Sequence, residues 1–69
     1  MQGLINKFFR KHGSAKGYGF ITGDDRNIYY FSARELADTV NIGDTVLFEG
    51  IRNEKGYLAC NVRLAVSTD

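Results

Sequence analysis

Apolar and polar residues alternate with a period of two through most of this 69-residue chain. Val46 and Phe48 alternate with Thr45, Leu47 and Glu49. Leu58, Cys60 and Val62 alternate with Tyr57, Ala59, Asn61 and Arg63. That period puts one set of each strand on an inner face. Turn-forming clusters punctuate the pattern at Lys11-His12-Gly13-Ser14, Gly23-Asp24-Asp25-Arg26-Asn27, Asn41-Ile42-Gly43-Asp44 and Asn53-Glu54-Lys55-Gly56. Between them lie five runs rich in aromatic and β-branched residues, predicting strands over 3–10, 16–22, 28–31, 45–51 and 57–64. One helical turn is expected after the third strand. Ser32-Ala33-Arg34-Glu35 has the capping-box pattern, in which the Ser hydroxyl accepts from the N3 amide and the Glu reaches back to the cap N–H. Leu36 follows as an apolar anchor.

Short strands with regular turns argue for an all-β protein. In a chain this small a closed barrel suits best, because closure removes exposed strand edges. The inward set expected from alternation is Ile21, Ile28, Val46, Phe48, Leu58 and Val62, with Cys60 in the core as a small apolar residue. Length allows one domain, expected over residues 1–66, with 67–69 as a frayed tail. A core of this size supplies about 3–5 kcal/mol of net stability. One Cys and one His offer neither an internal disulfide nor a complete set of N/S zinc ligands, so no metal or other cofactor is expected. A lone Cys fits a reducing compartment, and no leader or spanning segment is evident. The expectation is a cytoplasmic monomer with no membrane and no small-molecule substrate.

Charge changes the picture by its distribution. Residues 1–23 carry Lys7, Arg10, Lys11 and Lys16 and no acid, while residues 24–69 carry a local −3; the total is +1. A basic first third on a near-neutral chain is the footprint of a phosphate-facing surface, or chance clustering in a short sequence.

The second strand carries the candidate chemistry. Alternation places Lys16, Tyr18 and Phe20 on one face and Gly17, Gly19 and Ile21 on the other. The two rings then stand roughly 6.5–7 Å apart, room for successive unstacked bases. The third strand repeats the idea, with Tyr29 and Phe31 on one face and Ile28 and Tyr30 on the other. If these strands form a hairpin, Tyr18, Phe20, Tyr29 and Phe31 gather into one aromatic platform. A slip of one residue in pairing would exchange Tyr29 and Tyr30. Strand aromatics are usually core residues, but nine of them in 69 residues, with the aliphatics, exceed what a small barrel can enclose. A clustered exposed remainder marks a binding surface. Lys7, Arg10 and Lys16 would take phosphates. Arg52 and Lys55 either reach phosphates too or form a solvated hairpin tip.

Lys16-Gly17-Tyr18-Gly19-Phe20-Ile21 resembles the first ribonucleoprotein motif of the cold-shock domain family, Lys-Gly-Phe-Gly-Phe-Ile. Ile28-Tyr29-Tyr30-Phe31-Ser32-Ala33 resembles the second, Val-Phe-Val-His-Phe followed by Ser-Ala. Gly3 to Phe9 is similar to the family's opening Gly-x-Val-Lys-Trp-Phe-Asn strand, Ile42 to Glu49 to its fourth strand, and Gly56 to Val62 to the closing Gly-x-x-Ala-Ala-Asn-Val. The five segments run in register from Gly3 to Val62. The resemblance implies a small five-stranded antiparallel OB-fold barrel that binds single-stranded RNA or DNA, as an RNA chaperone or a regulator of transcription or translation. The nucleic-acid-binding residues it points to are Lys7, Phe8, Lys16, Tyr18, Phe20, Tyr29 and Phe31. There are departures. Lys7 stands where the family has a stacking Trp, and Phe9 replaces a polar residue on a face that alternation does not assign. The loop Lys11–Ala15 is longer than usual, and the second motif is one residue short.

A peptide-binding barrel would use the same aromatic surface. Catalysis finds no support: there is no Cys–His arrangement with an orienting partner and no phosphate-binding loop, and Asp24-Asp25 fits turn chemistry.

Overall fold

The computed structural model describes residues 1–10 and 17–65. Lys16, the loop Lys11–Ala15 and the tail from Val66 onward lie outside the described residues, so the expectations placed on them rest on sequence alone. Five strands form: β1 (Gln2–Arg10), β2 (Gly17–Gly23), β3 (Ile28–Ser32), β4 (Thr45–Asn53) and β5 (Gly56–Leu64). They close into a barrel in the order β1-β2-β3-β5-β4. Every pairing is antiparallel except β3 with β5, which is parallel and rests on one registered pair, Tyr30 with Leu58.

Ile5, Ile21, Tyr29, Phe31, Val40, Val46, Phe48, Ala59 and Val62 form the buried core. Four of the expected inward residues are there: Ile21, Val46, Phe48 and Val62. Ile28 is exposed and Leu58 only half-buried. Cys60 is half-buried too, and Ala59 takes the core position instead. A bulge is the cause. Leu47 pairs with Arg63 but Glu49 pairs with Cys60, so β5 spends three residues where β4 spends two. Asn61 sits in the extra stretch at φ +51°, a left-handed conformation that Asn tolerates better than most side chains. Beyond it the alternation of β5 reverses face.

A single 3-10 turn, Ala33–Glu35, follows β3. Its cap differs from the expected box. The Ser32 hydroxyl accepts from the Arg34 amide at 3.3 Å, one residue earlier than expected. The Glu35 carboxylate accepts from the Asn61 amide at 3.4 Å instead of reaching back to the cap. The turn is thereby tied to the β5 bulge. Leu36 packs against the core as anticipated and bridges to Val62. The β4–β5 hairpin closes through Gly56 at φ +121°, a conformation that favours glycine.

Candidate nucleic-acid interface

The faces of β3 are the reverse of those expected. Tyr29 is 4% exposed and Phe31 1%, whereas Tyr30 is 40% exposed. Cross-strand pairing decides this. Tyr30 pairs with Phe20, Tyr29 with Ile21 and Phe31 with Gly19, and paired residues share a face. Gly19 leaves a gap on the inner side that the Phe31 ring fills: a Cβ on Gly19 would stand 2.6 Å from Phe31 Cζ and would also strike the Lys7 carbonyl. The Tyr29 ring is admitted the same way, lying 2.9 Å from where a Cβ would stand on either Gly23 or Gly50. Tyr29 and Phe31 are therefore core rings. The outcome is the one-residue alternative, with Tyr30 outward and Tyr29 inward.

A bulge in β1 sorts the remaining aromatics. Ile5 pairs with Ile21 and Lys7 with Phe20, leaving Asn6 as the extra residue. Phe8 then falls opposite Gly19 and packs edge-on against Phe31 with centroids 5.4 Å apart. It is half-buried at the margin of the core. Phe9 falls opposite Tyr18 and turns outward, 49% exposed. Of the expected residues, the structure brings Lys7, Tyr18 and Phe20 together on the outer face. It adds Phe9 and Tyr30, which strand alternation alone could not place.

These four rings touch. Phe9 and Tyr18 lie 5.2 Å apart, Tyr18 and Tyr30 5.9 Å and nearly parallel at 27°, Phe20 and Tyr30 5.9 Å, and Tyr18 and Phe20 6.3 Å at right angles. Such distances are those of packed aromatic pairs. A base sandwiched between two rings would need about 7 Å, two stacking intervals of about 3.4 Å. The expectation of separated rings is thus corrected: bases have the outer surface of a contiguous cluster to stack on, with no slots between rings. Lys7 is exposed beside the cluster. On the far side the row continues through Leu58 and Ile51, since Tyr30 pairs with Leu58 and Leu58 with Ile51.

The β2–β3 turn that sets this register is fixed by Asp25. One carboxylate oxygen accepts from the Asn27 amide at 3.0 Å, and the other from the Tyr29 hydroxyl at 2.6 Å and the Asn27 side chain at 3.0 Å. The Tyr29 and Asn27 bonds hold the Asp25 carboxyl below its ordinary 3.8, and the same Asp25 bond raises the Tyr29 phenol above 10.0. The depressed Asp25 value means its contribution is present above about pH 4 and lost as pH falls through the lower folded value. The raised Tyr29 value means a loss only as pH climbs past 10. Between pH 7 and pH 2.5, thermal melts of the wild type should fall further than those of Tyr29→Phe. Equal falls would show that the bond contributes nothing to acid sensitivity.

The Cys60 thiol is pushed up by burial and by the Glu35 and Glu49 carboxylates, the opposite of a reactive setting. Arg52 lies over the Tyr57 ring, 5.6 Å from its centroid. Among the described residues no group of three or more metal-ligating side chains forms, and no helix is long and apolar enough to cross a membrane.

No protein-family model matches the sequence, and no curated protein does. Among solved structures the chain is similar to Drosophila Unr CSD456, with a TM-score of 0.63 and 22% identity over 94% of its length. The fold is that of a cold-shock domain. The chain spans about a quarter (26%) of the length of that structure. Of the four clustered rings, β2 carries Tyr18, which is exposed, and Phe20, which is half-buried.

Proposed function

We propose that this cold-shock-type barrel binds single-stranded RNA or DNA by stacking bases on the outward cluster of Phe9, Tyr18, Phe20 and Tyr30, with Lys7 and Lys16 taking phosphates. The observation that carries the reading is the cluster itself. Four rings gather on one face of a small barrel whose core is already complete without them. Base–aromatic stacking is sequence-tolerant and worth about 1–3 kcal/mol per base. Captured bases cannot rejoin a duplex, which is how such a protein would act as an RNA chaperone or regulate transcription or translation. The reading carries with it a non-catalytic, monomeric protein working in the cytoplasm.

An amide-resolved NMR titration with a single-stranded thymidine or uridine hexamer tests it. The Phe9, Tyr18, Phe20 and Tyr30 amides should shift, and those of Ile42 and Arg63 should stay. Shifts absent or confined elsewhere would overturn the reading, and a proline-rich peptide moving the same amides in place of the oligonucleotide would favour peptide docking. Affinity should also fall with salt. Two or three phosphate contacts on a single strand correspond to a loss of about seven- to twenty-fold between 50 and 200 mM salt, measurable by fluorescence anisotropy. A flat salt response would exclude phosphate contacts.

A further inference from the structure

The ring cluster does not end at Tyr30. Beyond it, between β3 and the tip of the β4–β5 hairpin, lies a groove lined by Tyr30, Leu58, Asn53, Glu54 and Lys55. Its floor continues the outer row, because Tyr30 and Leu58 are a registered pair. Its far wall is polar, and the hydrogen-bonding state of that wall is specific. The Asn53 side-chain oxygen accepts from the Lys55 amide at 2.9 Å, which leaves the Asn53 amide nitrogen as a donor. Glu54 and Lys55 are exposed and make no ion pair among the described residues. An apolar floor and ring thus meet a carboxylate, an ammonium and an amide donor within one turn of chain.

We infer that this groove takes one further nucleobase of the strand held on the ring cluster, and that it prefers guanine. The inference rests on the single-strand reading above. A base seated against Tyr30 and Leu58 would turn its Watson–Crick edge toward the hairpin. Ionised carboxylates only accept hydrogen bonds, and ammonium and amide N–H groups only donate. Guanine offers two adjacent donors, N1–H and the N2 amino group, to the Glu54 carboxylate, and an O6 acceptor to Lys55. Uracil and thymine have a single N–H flanked by two carbonyl oxygens that would face the carboxylate. Adenine has one amino donor beside a bare ring nitrogen. The bidentate contact separates guanine from the rest, because charge-assisted pairs of this kind are the stronger and more directional ones.

The probes are single-stranded DNA hexamers: six thymidines, and the same hexamer with one dG or one dA at each position in turn. Affinities are read by fluorescence anisotropy for the wild type and for Glu54→Gln. For the wild type, dG at one position should tighten binding about five-fold or more over thymidine, the low end for a bidentate base contact, and exceed dA at that position. Glu54→Gln should abolish the dG preference, so that dG, dA and thymidine at that position bind within about two-fold of one another in the variant, counting less than 0.5 kcal/mol. Equal gains for dA and dG would assign the preference to purine stacking and overturn the groove. So would a dG preference that survives Glu54→Gln, or no preference at all in a protein that binds thymidine hexamers. Failure to bind any hexamer would overturn the single-strand reading itself, and this inference with it.

Discussion

Replacing Tyr18 and Phe20 together with alanine should weaken binding to a uridine or thymidine hexamer by at least ten-fold while leaving the barrel folded. Both rings lie outside the buried core, Tyr18 with 43% of its surface exposed, so their truncation opens no internal cavity. Two stacking losses of about 1–3 kcal/mol each would add to far more than a decade, at 1.4 kcal/mol per decade. They will not simply add. Tyr18 and Phe20 touch each other, and Tyr18 touches Phe9 and Tyr30 as well. Residues in direct contact couple, and the surviving rings can shift to cover part of the space. Ten-fold is therefore the floor. The measurement is an anisotropy titration of both proteins at low salt, alongside a circular dichroism melt. A folded variant that binds as tightly as the wild type would remove the platform from consideration.

The largest effect on stability is expected at Gly19. Valine favours strands, by up to about 1 kcal/mol, and propensity alone would make Gly19→Val an improvement. Space decides otherwise. A side chain there enters the Phe31 ring and the Lys7 carbonyl. The ring could turn only by disturbing the core, and the carbonyl belongs to the neighbouring strand. Overpacking of this kind costs about 1–3 kcal/mol and occasionally more. With a net loss of about 2–3 kcal/mol from a domain that has about 3–5 to lose, and about 4–8 °C per kcal/mol, the melting temperature should drop by roughly 10–20 °C. A melt within a few degrees of wild type would show that Phe31 does not depend on the vacancy at Gly19.

That glycine also marks where sequence reading succeeds and where it stops. The five strands, the barrel and the outward placement of Tyr18 and Phe20 follow from alternation and turn residues, because those are local signals. The facing of β3 does not. Tyr29 and Tyr30 are both plausible on either side of a strand. What distinguishes them is non-local: gaps at Gly23 and Gly50 that admit one ring, a carboxylate at Asp25 that receives its hydroxyl, and Ile21 rather than Phe20 across the ladder. Cys60 departs from strict alternation for a related reason. Strict alternation fails across a bulge, and the only trace of that bulge in the sequence is Asn61, a residue whose side chain accepts a left-handed backbone. The β1 bulge at Asn6 had the same consequence for Phe8 and Phe9, moving the outward ring one place along from the position the family pattern suggests. The sequence leaves the exchange of Tyr29 and Tyr30 open, and the ladder decides it.

The parallel contact between β3 and β5 gives the molecule a seam. Four of the five strand junctions are antiparallel ladders of three or more registered pairs; this one has a single pair, supported by the bridge from Leu36 to Val62 and the Ala37 amide on the Val62 carbonyl at 2.8 Å. Partial opening of a fold begins where cooperative contacts are fewest, and here the barrel would unzip lengthwise between Tyr30 and Leu58. Those residues form the face on which a strand is proposed to lie. A guest spanning both can bind only while the seam is shut, so it acts as a clasp: at a hundred times its dissociation constant it would hold the junction closed by a further ~2.7 kcal/mol. The joint with the fewest ladder pairs and the proposed binding surface are the same place.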